Sequence, residues 1–356
     1  MVSSWSIRLL VANLAITGGI AGGWRDGKFK TLVTFGDSYT DENRLGYFIN
    51  NNGSAPPVAW QQPVGLATAS GGLSWARYAS IYSKTNLYNY AVSGAVCSNE
   101  ITPRYFSAIN APFPDIAGYE LPAFIADSKA SNANGTKFFT GKASSTVYAV
   151  WIGTNDLGNG AFLTDSQVPG KTVADYMDCV YDQITRLYEN GGRNFVIMNL
   201  APLELLPQYQ QPQDGGLQAT QYYPDVPGKN LTEVHGRMQN TVAALNQVYK
   251  YRTPFEAEID ELWEDANVAS FDVNALMTDI YNNPASYLNG TGAPLNVEGV
   301  EHLCDAQGSN CTSTDSPDSF MWYDPLHPSE QTSRIVAREF VGVLGGKSKW
   351  ASYWGC

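Results

Sequence analysis

Five short runs rich in apolar, β-branched and aromatic residues recur along the chain: Leu32–Phe35, Leu87–Val92, Val147–Ile152, Phe195–Leu200 and Val268–Val273. Each gap between them is long enough to hold a helix. The clearest helix runs from Leu231 to Tyr251, where Leu231, Val234, Met238, Val242, Leu245 and Val248 fall three or four apart on one face. Another spans Val173–Glu189 and stops at Gly191-Gly192, and a last one covers Ser329–Leu344 before a second glycine pair. Strands separated by helices imply a mostly parallel sheet sandwiched between helical layers. In such sheets ligands bind beyond the carboxyl ends of the strands.

Two segments break the rhythm. Asn50–Gly72 is rich in Gly, Pro, Asn and Gln, and Ala201–Lys229 follows the fourth strand directly. Long loops in compact domains tend to be functional or disordered. Both belong at strand carboxyl ends and read as walls of a cleft; the competing reading is a loose surface insertion. There is no internal repeat and no heptad pattern.

The chain has 356 residues, 44% of them hydrophobic, enough for a large core. Its net charge of −12 repels a phosphate backbone, and no basic stripe offsets it, which argues against nucleic-acid binding. Charged residues make up 16%, whereas Tyr (21) and Trp (9) are plentiful, a composition suited to neutral, polar ligands.

The amino end points to secretion. Arg8 precedes an apolar run from Leu9 to Ala21, and Ala21-Gly22-Gly23 supplies small residues for cleavage, so residues 1–23 read as a signal peptide. The run is short for a membrane span, and no later stretch is long and apolar enough. Glycosylation sequons begin at Asn52, Asn134, Asn230, Asn289 and Asn310. Of five cysteines, Cys304 and Cys311 enclose a short polar loop and are the best disulfide pair. Cys97 with Cys179 stays open, because pairing cannot be deduced from sequence, and Cys356 is left over. No Cys-x-x-Cys or His-x-x-x-His spacing suggests zinc.

Chemistry is concentrated where the strands end. The first strand stops at Gly36-Asp37-Ser38, which puts a hydroxyl at the tip of a turn. A serine becomes nucleophilic only beside a positioned base, and there are three histidines to consider. His235 lies in the 231–251 helix and reads as structural; His302 sits in a loop beside Cys304. His327 lies in "MWYDPLHPS", three residues after Asp324, so a single turn can present carboxylate and imidazole together. Gly94 follows the second strand in "AVSGAVCSN", and Asn155 follows the third in "VWIGTNDLG". With the Ser38 backbone N–H, they can supply donors for a developing oxyanion. Any one of these residues could be an ordinary turn residue; it is their convergence on one sheet edge that points to acyl transfer. The local sequence argues against an α/β-hydrolase elbow, because Thr40 stands where that motif needs glycine.

The blocks "FGDSYTD", "AVSGAVCS", "GTND" and "DPLHPS", in that order from residue 35 to residue 329, resemble the GDSL or SGNH esterase and lipase superfamily. Tyr39 replaces the leucine of the family's name. The resemblance implies an α/β, three-layer α/β/α flavodoxin-like fold with a mostly parallel five-stranded sheet and long loop insertions. It implies one esterase domain over residues 24–356 and ester hydrolysis by Ser38, Asp324 and His327, with an oxyanion hole of Ser38, Gly94 and Asn155. No metal or cofactor is expected. "FGDSYTDENRLGYFINNNGSAPP" is most similar to secreted fungal acetylesterases of carbohydrate esterase family 16. That implies an extracellular enzyme, expected to be a monomer, removing acetyl groups from plant-cell-wall sugars such as acetylated xylo-oligosaccharides. The rivals are a lipase or phospholipase of the same superfamily and a non-catalytic carbohydrate-binding protein on the same fold.

Overall fold

The computed structural model describes residues 23–355. The signal-peptide expectation, apart from Gly23, and Cys356 lie outside these residues. Six strands form the central sheet: β1 (Thr31–Gly36), β2 (Asn86–Asn89), β3 (Thr146–Trp151), β4 (Asn194–Met198), β5 (Asn267–Phe271) and β6 (Ala351–Trp354). Their order is β6-β5-β4-β3-β1-β2. The first five are parallel, and β6 runs antiparallel along β5. The sequence leads to five strands; the sixth is a four-residue segment at the carboxyl end, too short to show a period.

Every residue of β1, β3 and β4 is buried, as expected of strands covered on both faces. Helices α1 (Arg44–Asn50), α2 (Trp75–Ser83), α3 (Leu121–Lys129), α4 (Val173–Glu189), α5 (Leu231–Pro254), α6 (Val273–Asn282) and α7 (Glu330–Leu344) complete the main architecture. On one face, Trp75 of α2 packs on Phe340 of α7 with ring centroids 4.9 Å apart. On the other, Phe124 of α3 meets Phe35 and Tyr148 of the sheet. There too, Tyr176 of α4 and Tyr249 of α5 share a buried hydrogen bond of 2.8 Å. The helix starts are well satisfied: Thr172 and Asp175 form a capping box on α4, and Ser329 accepts from Thr332 N–H at the head of α7.

β2 ends earlier than its apolar pattern implies. Asn89 turns its side chain to the loop after β1, donating to Thr40 C=O at 2.7 Å. The chain nevertheless keeps alongside β1, since Tyr90 and Val92 N–H donate to Thr34 and Gly36 C=O. Two disulfides, Cys97–Cys179 and Cys304–Cys311, cross-link the chain. Cys304–Cys311 closes a small hairpin in which residues 302–303 pair with 312–313. No helix among the described residues is long and apolar enough to cross a membrane.

Candidate active site

In the strand order, β1 leads to β2 on one side while β3 leads to β4 on the other, so a crevice opens beyond the carboxyl ends of β1 and β3. Gly36 ends β1 at φ +152°, and a Cβ there would lie 2.2 Å from Trp151 C=O on β3, so the close approach demands glycine. Asp37 then folds the turn: its Oδ1 accepts Tyr39 N–H at 3.0 Å, and its carbonyl accepts Thr40 and Asp41 N–H. Ser38 sits at the tip, 8% exposed.

The turn before α7 reaches the same point. Asp324 Oδ1 accepts the backbone N–H of Leu326 and of His327, each at 2.9 Å, so the carboxylate itself shapes the turn. His327 Nδ1 lies 2.8 and 2.9 Å from the two Asp324 oxygens, and its Nε2 lies 2.8 Å from Ser38 Oγ. A carboxylate only accepts, so Nδ1 carries the ring proton and Nε2 is left to accept from the serine hydroxyl. All three side chains are buried or nearly so.

Sequence reading did not find what braces this line. Tyr222, in the 201–229 loop, donates to Asp324 Oδ2 at 2.7 Å, and its ring meets His327 edge-on at 5.2 Å. Tyr39 OH donates to Leu326 C=O at 2.8 Å beneath the turn. The other long loop contributes Thr68, Ala69 and Ser70, which line a small cleft with Ser38, Ser74 and His327. Both loops therefore border the site rather than hang free of it.

Gly94 and Asn155 come to the same rim. Gly94 has φ +84°, and Phe113 lies 2.3 Å from where its Cβ would be, so side chains are excluded twice over. Asp41 anchors this loop: its Oδ2 accepts both Ser93 N–H and Ser93 Oγ–H at 2.8 Å. Asn155 Nδ2 donates to Ala95 C=O at 2.8 Å, and Arg104 donates to Asn155 Oδ1 and, at 3.1 Å, to Gly94 C=O. Behind them, buried Asp156 accepts from Cys97 N–H at 3.0 Å and from Thr102 Oγ–H at 3.1 Å.

Buried carboxyls crowd this end of the sheet. Burial pushes Asp37 up to about 6 and Asp156 up to about 7, and it raises Asp41 and Glu120 as well. Glu120 is spent on structure, accepting Gly36 N–H at 3.0 Å and Val92 N–H at 3.1 Å.

The remaining histidines are engaged elsewhere. His235 Nδ1 pairs with Glu204 C=O at 3.1 Å, and His302 stacks on Tyr323 with centroids 5.2 Å apart. His302, Cys304 and Cys311 lie close enough to suggest a metal cluster, but the two sulfurs are bonded to each other and offer no thiolate.

A family model described as GDSL-like Lipase/Acylhydrolase matches residues 32–340. The chain belongs to this GDSL family. It is accordingly a carboxylic ester hydrolase. The GDSL chain is 40% identical, over 92% of its own length and 92% of the relative's, to a protein named acetylesterase from Hypocrea jecorina. It is 25% identical to an acetylesterase from Thermothelomyces thermophilus, with 89% of each chain covered. A solved carbohydrate esterase overlaps 63% of this chain and 66% of its own at 13% identity and a TM-score of 0.28, a likeness too loose to carry weight.

Proposed function

We propose that this GDSL hydrolase is a secreted serine acetylesterase that removes acetyl groups from plant-cell-wall carbohydrates such as acetylated xylo-oligosaccharides. The proposal rests on the line from Ser38 Oγ through His327 to Asp324, read together with the acetylesterase from Hypocrea jecorina.

In the proposed reaction, Ser38 Oγ attacks the ester carbonyl while His327 Nε2 takes its proton. Asp324 holds the imidazole in the required tautomer and stabilises the imidazolium. The oxyanion is received by the backbone N–H of Ser38 and Gly94 and by the Asn155 amide. His327 then gives its proton to the departing sugar oxygen, leaving acetyl on Ser38. Water, deprotonated by the same imidazole, releases acetate and restores the serine.

A short acyl group suits the cleft at Ser38, which is narrow and bordered by Thr68, Ala69, Ser70 and Ser74. One observation favours the lipase alternative. Val58, Val64 and Leu66, 60%, 63% and 68% exposed, lie on the 50–72 loop that borders the nucleophile. Rates on 4-nitrophenyl acetate and 4-nitrophenyl decanoate decide between them. A strong acetate preference fits the proposal, and a decanoate preference rejects it. Release of acetate from acetylated xylo-oligosaccharides, followed by NMR, tests the carbohydrate itself.

Secretion is supported by the two disulfides and by the sequon residues Asn52, Asn134, Asn230, Asn289 and Asn310, all exposed. We take residues 24–356 as one catalytic domain that acts as a monomer.

A further inference from the structure

We propose that Arg104 is a positioning residue for the oxyanion hole, locking the Asn155 amide so that one Nδ2 proton faces the reacting carbonyl. The inference rests on the functional reading above and goes beyond it, since Arg104 belongs to none of the blocks that carry the chemistry.

An asparagine amide can sit in two orientations related by a half-turn, and only one presents nitrogen to an oxyanion. Here the neighbours decide. The Arg104 guanidinium has only donors to offer, so it requires the Asn155 oxygen. Ala95 C=O has only an acceptor to offer, so it takes one Nδ2 proton at 2.8 Å. The flipped amide would set donor against donor and acceptor against acceptor in a buried site. In the observed orientation the second Nδ2 proton remains for the oxyanion. The same Arg104 Nη1 also donates to Gly94 C=O at 3.1 Å, so one group ties together two of the three proposed donors. A cationic donor on Oδ1 also draws charge from the amide and strengthens its N–H.

Arg104 is itself held in place. Asn99 Oδ1 accepts its backbone N–H at 3.4 Å, and its carbonyl accepts Phe113 N–H at 2.9 Å. The guanidinium lies over the Phe113 ring, 5.3 Å from its centroid, and Phe113 stacks on Phe106 at 4.5 Å. Among the described residues no carboxylate forms an ion pair with Arg104. A guanidinium placed only for surface charge pairing would not be spent on an amide oxygen and a carbonyl.

A double-mutant cycle on 4-nitrophenyl acetate tests this, using Asn155→Ala, Arg104→Met and the double variant, with melting temperatures recorded for each. Arg104→Met keeps the apolar stem and loses the donors. It is expected to lower kcat about 10- to 100-fold with KM little changed, somewhat less than loss of a whole oxyanion donor. In the Asn155→Ala background the same substitution should cost much less, only what its hold on Gly94 C=O contributes. Arg104→Lys, which keeps charge and a donor, should recover part of the loss. An equal loss in both backgrounds would make Arg104 a scaffold residue and overturn the proposal, as would a wild-type kcat for Arg104→Met. If Arg104→Met does not fold, Arg104→Lys takes its place in the cycle and is judged by the same two outcomes. A failure of the functional reading looks different: Asn155→Ala, or Ser38→Ala, would itself keep the wild-type rate.

Discussion

Ser38 Oγ and His327 Nε2 lie 2.8 Å apart although 289 residues separate them in the chain. Two layers of structure bring them together. Trp75 of α2 donates from Nε1 to Thr40 Oγ at 3.0 Å, just past the serine turn, and packs on Phe340 of α7. The pairing of α2 with α7 thus carries the turn at the head of α7 to the end of β1. Tyr39, adjacent to the serine, donates to Leu326 C=O, adjacent to the histidine, and closes the contact from below.

Tyr222 gives the first prediction. Its hydroxyl holds Asp324 Oδ2 and so helps to fix the carboxylate that orients His327. Tyr222→Phe keeps the ring against His327 and loses that hydrogen bond. Turnover of 4-nitrophenyl acetate should fall by up to about tenfold, the weight of one hydrogen bond, with the melting temperature little changed. An unchanged kcat would mean that the hydroxyl does not bear on the triad.

The disulfides should differ in weight. Cys97–Cys179 closes a separation of 82 residues, whereas Cys304–Cys311 closes 7. Loop-closure entropy then assigns about 4.5 kcal/mol to the first and about 2.4 kcal/mol to the second. Cys97 also lies in the loop that carries Gly94 and donates to Asp156. Double serine variants of each pair, compared by thermal melting, should show the larger drop for Cys97 and Cys179. The reverse order would contradict this reading.

Stability should fall as pH rises through mild acidity. Burial holds Asp37 at about 6 and Asp156, Glu204 and Glu301 at about 7, against unfolded values of 3.8 for Asp and 4.5 for Glu. Between the unfolded and folded values the native state keeps protons that the unfolded chain has released, so raising pH across that window favours unfolding. Asp175, held down at about 2, works in the opposite sense but only below about pH 4. The melting temperature at pH 5 should therefore exceed that at pH 8. A melting temperature that is flat or rises from pH 5 to pH 8 would refute the assignment.

How much of this was legible beforehand depends on the range of the interaction. β3 and β4 carry continuous apolar runs, and β1 one broken only by Thr34, so their burial on both faces is written in the residues themselves, and all five parallel strands could be placed. Asp324 and His327 are three residues apart, so the Asp-x-x-His turn is a local signal. β6 gave none, because four residues at an edge owe their conformation to the partner strand β5. Arg104 and Tyr222 were equally silent. Each reaches its target from a loop, across 51 residues to Asn155 and 102 to Asp324. Only the folded geometry distinguishes such side chains from polar residues that merely meet solvent. The same holds for Asp41 and Glu120, whose acceptor roles depend on the backbone of loops and strands far away in sequence.

The central claim is that Ser38 is the nucleophile, and Ser38→Ala probes it with a change of one buried oxygen. The measurement is the turnover of 4-nitrophenyl acetate by purified wild-type and Ser38→Ala protein, with a fluorophosphonate probe applied to both. Matching melting curves, loss of nearly all turnover, and labelling of the wild type alone are expected. A folded Ser38→Ala that still turns over the ester at a rate near wild type, or still takes the probe, would contradict the claim.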